Sequence, residues 1–252
     1  MSPQLPYRDF YYPLNVFMYV LSNEERAVPY LHYGLFEDPA ESIAAAQERS
    51  TELLLSRLPP PPATLLEVGI GLGTTLARLA GMGYDATGIT PDLKQIAMVR
   101  ERYSDQLRVH GIAFENFDET AQFDCVFFQE SSQYIDAGAL FQRASDLTGH
   151  VVVIDEFALA PVDTPGALHS LERFVAAASE HGFQKIEELD LSLQAAPTVQ
   201  YFTDRLPAYR DRLVSDLALT PQQIDDLIES GTRYHDLYRS GVYGYRLLVF
   251  KR

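Results

Sequence analysis

The stretch Glu67-Val68-Gly69-Ile70-Gly71-Leu72-Gly73-Thr74-Thr75 decides how this chain is read. It closes a short apolar run, Thr64-Leu65-Leu66-Glu67-Val68, whose length and bounding glycines predict a buried strand. It opens a helix expected over Thr74 to Met82. Glycines at alternate positions permit a tight turn and let a ligand approach the backbone, because they carry no Cβ. The start of the following helix offers unpaired N–H groups and a partial positive charge, suited to a carboxylate or a phosphate. Three glycines at this spacing before a helix are more than turn punctuation.

Three ligand readings compete for this loop. A dinucleotide site asks for G-x-G-x-x-G and an acid near the end of the next strand. Counted from Gly69, the last glycine of that pattern falls on Thr74, and the next strand ends at Ile89-Thr90 without an acid. A P-loop asks for Lys and Ser/Thr after its last glycine, and no Lys is present. The third reading is S-adenosylmethionine.

Outward from the loop, apolar runs alternate with helical spacing. Strands are expected at Tyr84–Ile89, Phe123–Gln129, Val151–Asp155, Lys185–Leu193 and Tyr245–Phe250. Helices are expected at Pro39–Leu58, Pro91–Arg102, Ala137–Leu147 and Pro165–His181. This alternation implies a mostly parallel sheet covered on both faces. Pro59 to Pro62 cannot continue a helix and mark a boundary. Pro197 to Gly241 has no strand run, and its leucines at 206, 213, 217, 227 and 237 lie among charges, so it is expected to be a helical insertion. The expected organisation is a helical N-terminal cap over 1–58, an α/β core over 59–196, a helical lid over 197–241 and a final core strand over 242–252.

On these residues the chain resembles the class I S-adenosylmethionine-dependent methyltransferases. The matching segments are Leu66 to Gly73, Gly88-Ile89-Thr90-Pro91 and Phe123 to Glu130, in the right order with the right gaps. The resemblance spans about residues 30–193, and the last strand fits the same plan. Within the family the chain is most similar to small-molecule methyltransferases of the natural-product, sarcosine and cyclopropane-synthase kind, which often carry His-Tyr-Gly before the core, here His32-Tyr33-Gly34. The implied fold is α/β: a Rossmann-like seven-stranded sheet with helices on both faces, a helical N-terminal extension and a helical insertion before the last strand.

The resemblance also implies residue roles. The backbone of Gly69, Gly71 and Gly73 would border the methionine part of S-adenosylmethionine, and Glu67 would orient the loop and pair with the ammonium. Where the family often places an acid on the ribose, this chain has Thr90, and Gln95 follows it. Glu115 and Asn116 would contact the adenine amino group, and Gln129 and Glu130 would end the fourth strand facing cofactor and substrate. Tyr33 and Thr74 complete the implied cofactor contacts.

Composition narrows the partners. The 252 residues carry 35 acidic and 20 basic side chains, a net charge of −15, which argues against nucleic acid as the main partner. One cysteine, Cys125, makes no internal disulfide, and its place in an apolar strand marks it as core. The start lacks a basic segment followed by an apolar one, and no apolar stretch is long enough for a bilayer, so a cytoplasmic chain without membrane contact is expected. The six histidines are scattered without metal-binding spacing, so no metal is expected.

Twelve of the 15 tyrosines lie in residues 7–33 or 201–245, flanking the core. Ligands of open α/β sheets sit beyond the carboxyl ends of the strands, where added segments can cover them. Tyr12, Tyr19, Tyr201, Tyr234 and Tyr238 are therefore expected to line a substrate lid, with Glu156 at the end of the fifth strand. The alternative is that these tyrosines pack the extra helices, or that the N-terminal arm buries against a second copy as a homodimer. A proton acceptor is required only for some acceptors, and His32, Glu130, Tyr134 and His235 are the candidates. The first expectation is methyl transfer to a small apolar or aromatic metabolite at O, N or C, with S-adenosylhomocysteine as product. The alternatives are non-methylating chemistry on the same scaffold, such as cyclisation, and a non-catalytic binding protein.

Overall fold

The computed structural model describes residues 10–25, 28–38, 40–118, 122–162 and 168–252. Pro39 and residues 163–167, where two of the expected helices begin, lie outside the described residues. Seven strands form one sheet: β1 (Thr64–Val68), β2 (Asp85–Ile89), β3 (Arg108–His110), β4 (Cys125–Gln129), β5 (His150–Ala158), β6 (Gln184–Asp190) and β7 (Tyr243–Lys251). Their order is β3-β2-β1-β4-β5-β7-β6. The first five run parallel, and β7 inserts antiparallel between β5 and β6.

The sheet is buried on both faces, and the period of two along its strands explains how. Leu66, Val68, Val126, Phe128, Val151 and Val153 point into one core, covered by Leu140, Phe141 and Ala144 of helix α5 (Ala137–Leu147) and by Phe174 of α6 (Leu171–Glu180). Leu65, Cys125, Phe127, Val152 and Ile154 point to the other face, against Leu54 of α2 (Ile43–Leu55) and Leu79 of α3 (Thr74–Gly81). Cys125 is fully buried there, as its apolar strand implied. Helix α4 (Leu93–Tyr103) is capped by Asp92, whose side chain accepts from the Lys94 N–H, so Pro91 precedes the helix rather than starting it.

A third core lies outside the sheet. Helix α1 (Leu14–Glu24) packs Val16, Tyr19 and Val20 against Leu206, Tyr209, Leu213 and Ile224 of α7 (Ser192–Leu217) and α8 (Pro221–Arg239). The N-terminal extension and the insertion therefore form one cap. The expected strand over Lys185–Leu193 ends at Asp190, and α7 begins at Ser192 and runs through Pro197 and Pro207. Each proline costs a backbone hydrogen bond, which α7 offsets by burying Ala195, Thr198, Val199, Leu206 and Leu213. Among the described residues, no helix is long and apolar enough to cross a membrane.

Candidate active site

The cavity sits beyond the carboxyl ends of β1, β2 and β4 and measures about 460 Å³, in the roughly 300–1,000 Å³ range of small-molecule sites. Its floor is the glycine loop. Gly69, Gly71 and Gly73 have φ of 83°, 50° and 73°, conformations that disfavour a Cβ. A Cβ on Gly69 would lie 2.4 Å from the Ser131 Cβ, so close approach as well as φ demands glycine there. Gly69 and Gly71 border the cavity, whereas Gly73 turns the chain into α3 against Val99. Thr74 also borders the cavity, and its hydroxyl donates to the Pro29 carbonyl, which ties the N-terminal segment to the loop.

Glu67 lies at the end of β1, 3% exposed, and its Oε2 has no hydrogen-bond partner. Burial alone pushes its carboxyl well above the ordinary value. A buried, unpartnered carboxylate costs free energy unless a donor reaches it, and this one borders the cavity. Thr90 and Gln95 stand together on the next rim, the Thr90 hydroxyl 3.2 Å from the Gln95 Oε1. Glu115 borders the cavity from a short 3-10 turn, Phe114–Asn116. Asn116 in the same turn faces away, into a separate surface groove with Arg143 and Asp146.

Gln129 and His32 are joined through Thr51. Gln129 Nε2 donates to Thr51 Oγ1 at 3.3 Å, and Thr51 Oγ1 lies 3.0 Å from His32 Nε2. The other ring nitrogen, Nδ1, is 2.9 Å from the Tyr33 carbonyl. A carbonyl only accepts, so Nδ1 carries the proton and Nε2 accepts from Thr51. Burial holds the imidazole down at about 4. His32 borders the cavity as a neutral ring with both nitrogens engaged.

Glu130 follows β4 with φ 54°, a left-handed conformation unusual for a side chain of this kind. Its Oε1 accepts from the Tyr33 N–H at 2.5 Å and from the Tyr245 hydroxyl at 2.6 Å. Both bonds fall on Oε1, so a proton on Glu130 sits on Oε2. Burial, and then the charge of Glu156, push this carboxyl well above the ordinary value. Glu130 and Tyr134 both border the cavity, and Tyr134 stands at its mouth, 73% exposed, beside Tyr11 and Leu14.

The structure separates the remaining expected residues from this cavity. Tyr12, Tyr19 and Tyr201 bind the cap together and do not line the pocket. The Tyr12 hydroxyl donates to the Gln223 carbonyl at 2.9 Å, and Tyr19 donates to Asp216 at 2.6 Å. Arg205 lies over the Tyr201 ring at 3.5 Å. Tyr33, Tyr234 and Tyr238 gather round the buried Glu156 behind Glu130, with Tyr238 donating to Glu156 Oε1 at 2.5 Å. His235 is half-buried on α8, away from the cavity. Tyr11, Tyr30, Leu31, Ser131 and Tyr245 were not expected at the site. Tyr245 comes to the site only through strand pairing, which sets it opposite Glu156.

The fold is that of the solved methyltransferases and cyclopropane synthases to which the chain is similar. Residues 66–148, the stretch that supplies the loop and most of the cavity floor, match the family described as a methyltransferase domain. An O-methyltransferase of Pyrenophora dematioidea is 34% identical over 113 residues, which cover 40% of this chain and 42% of that protein. The chain thus spans about two fifths of the length of this curated relative. The mycolic acid cyclopropane synthase CmaA1, complexed with SAH and CTAB, is similar with a TM-score of 0.79 and 19% identity, over 100% of this chain and 99% of its own. The [4+2]-cyclase SpnF gives 0.74 and 19%, over 95% and 96%. One fold thus carries several chemistries, and the reaction must be argued from the site.

Proposed function

We propose that this chain transfers the methyl group of S-adenosylmethionine to a small, uncharged or cationic metabolite. The observation that carries the reading is Glu67, a buried carboxylate with one oxygen unpartnered, set beside the left-handed glycine loop. An α-ammonium group satisfies that oxygen, and the backbone at Gly69 and Gly71 leaves room for the chain that bears it. Thr90 with Gln95 suits ribose hydroxyls, and Glu115 suits an exocyclic amine. The O-methyltransferase relative and the SAH bound by a protein of the same fold support the same cofactor.

When bound, S-adenosylmethionine supplies an activated methyl carbon, and the protein's task is alignment and exclusion of water. The cavity does this with an apolar mouth of Tyr11, Leu14, Leu31 and Tyr134. Its charged lining is Glu67, Asp92, Glu115 and Glu130, with no Lys or Arg among the described residues. With no cation to pair with, carboxylate and phosphate substrates are disfavoured there, and phenols, alcohols and amines are admitted. Glu130 is the proton acceptor for a hydroxyl acceptor, with Oε2 receiving the proton. His32 keeps the Tyr33 backbone in place instead, because both its nitrogens are bonded.

Incubation with methyl-labelled S-adenosylmethionine and a panel of phenols, amines and carboxylic acids tests this. Label is expected on a phenol or an amine and not on an acid. Substrate turnover with all label retained in the cofactor identifies non-methylating chemistry instead.

A further inference from the structure

Behind Glu130 lies a second buried carboxylate that does not border the cavity. Glu156, 6% exposed near the end of β5, takes the Tyr238 hydroxyl at 2.5 Å, with the phenols of Tyr33 and Tyr234 beside it. Tyr33 is the hub between the two acids. Its hydroxyl meets Glu156, its N–H meets Glu130 Oε1, and its ring stacks on Tyr245 at 5.8 Å and 2°. Tyr245 in turn donates to the same Glu130 oxygen. Two carboxylates from adjacent strands are thereby held by one pair of stacked rings.

We propose that Glu156, through Tyr33, is a positioning residue that sets the proton affinity of Glu130. The inference rests on the reading above, in which Glu130 accepts the substrate proton. The groups facing the pair are Asp155 on β5, Tyr33 in the N-terminal segment, Tyr234 and Tyr238 on α8, and Tyr243 and Tyr245 on β7; Tyr134 adds its phenol on the Glu130 side. Among the described residues the charged members are three carboxylates, and Arg233 acts on Tyr243 at the edge of the group. Asp155 is satisfied separately, its Oδ2 accepting from the Ser132 N–H and hydroxyl at 3.0 and 2.7 Å. Like charges at this range oppose each other's ionisation, so an ionised Glu156 keeps the proton on Glu130. The three tyrosine donors favour the ionised form of Glu156. Glu130 is thus a stronger base than burial alone makes it, and Glu156 supplies the difference without touching substrate.

The test is a carboxyl titration by carbon-13 NMR on protein labelled at the glutamate side-chain carboxyl, with Glu130→Gln identifying the signal. In Glu156→Gln the Glu130 midpoint is expected to fall by roughly half a pH unit or more, the size of a screened charge pair at this range. The acid limb of kcat against pH is expected to fall with it, and the Kd for S-adenosylhomocysteine to stay constant. Tyr33→Phe, which removes one donor from Glu156 and keeps the stacked ring, moves the midpoint the same way and serves if Glu156→Gln does not fold. An unmoved or raised midpoint overturns the proposal. A lowered midpoint in a protein that methylates no acceptor upholds the coupling and overturns only the reaction assigned to Glu130.

Discussion

Replacing Glu67 with Gln is expected to strengthen the ligand-free protein and weaken cofactor binding, two effects of opposite sign from one atom. Glu67 Oε2 is buried without a partner, and burial raises its carboxyl well above the ordinary 4.5. A carboxyl raised in the folded state contributes full stability below its unfolded value and loses it as pH climbs toward the folded value. One such group removes at most about 1.4 kcal/mol per pH unit. For a chain of this size, about 1 kcal/mol moves Tm by roughly 2–4 °C. Wild type should therefore lose up to about 3–6 °C per pH unit relative to Glu67→Gln, beginning near pH 5. Glu130, Asp155 and Glu156 are raised as well, Asp155 to about 6 and Glu156 to about 7. They are present in both proteins, so the difference isolates Glu67. Calorimetric scans of the ligand-free proteins from pH 5 to 8 read it directly. On the binding side, a hydrogen bond to a charged group is worth about 1.5–3 kcal/mol, or roughly tenfold to a hundredfold in Kd. Isothermal titration should show that loss for S-adenosylhomocysteine and none for 5′-methylthioadenosine, which lacks the amino acid. Parallel Tm curves, or an equal loss for both ligands, would refute the role given to Glu67.

Glu130 at φ 54° makes glycine the better small residue there: Glu130→Gly should unfold about 1 kcal/mol later than Glu130→Ala, the reverse of the usual order, by urea titration. Gly69→Ala meets both a φ of 83° and a Cβ at 2.4 Å from Ser131, whereas Gly83→Ala at φ 89° meets open space. The first should abolish cofactor binding and cost more than 2 kcal/mol, the second about 1, as thermal scans and titration of S-adenosylhomocysteine would show. Tyr19→Phe and Tyr209→Phe remove cap hydrogen bonds to Asp216 and Glu24 and should lower Tm by a few degrees with acceptor KM unchanged. Tyr134→Ala at the mouth should raise that KM and leave Tm alone.

The sheet was legible because its strands repeat every two residues and its glycines sit where the turn needs them. Thr64–Val68 and Ala137–Leu147 occur as their patterns predict. β3 escaped notice because Arg108–His110 is three residues long on the edge, too short to show a period. α7 was misjudged at its start because the strand was carried to Leu193 and the insertion begun at Pro197, while burial of its apolar face carries the helix from Ser192 through both prolines. The assembly around Glu130 and Glu156 had no local signature. Its bonds join residues 97, 115 and 82 positions apart, and only the fold brings them together.

The tyrosines show what composition can and cannot tell. Their uneven placement marked two segments outside the core, and those segments pack on one another, the first alone reaching the cavity among the described residues. Their work is divided, however, by depth. Tyr12, Tyr19, Tyr201 and Tyr209 lie in the outer cap, where the hydroxyls of Tyr12, Tyr19 and Tyr209 tie the α1 segment to α7 and α8 through Gln223, Asp216 and Glu24, and the Tyr201 ring packs under Arg205 within α7. Tyr33, Tyr234, Tyr238 and Tyr245 lie inward, where hydroxyls must answer buried carboxylates. Among the described residues, only Tyr11, Tyr30 and Tyr134 reach the cavity. Choice of substrate therefore falls to few residues at the mouth and to the sign of the charge around it. Among the described residues no Lys or Arg lines the cavity, and the chain's net charge of −15 adds a negative field at long range. That field draws in a cofactor bearing an ammonium and a sulfonium, and under the proposed function it disfavours anionic acceptors as well.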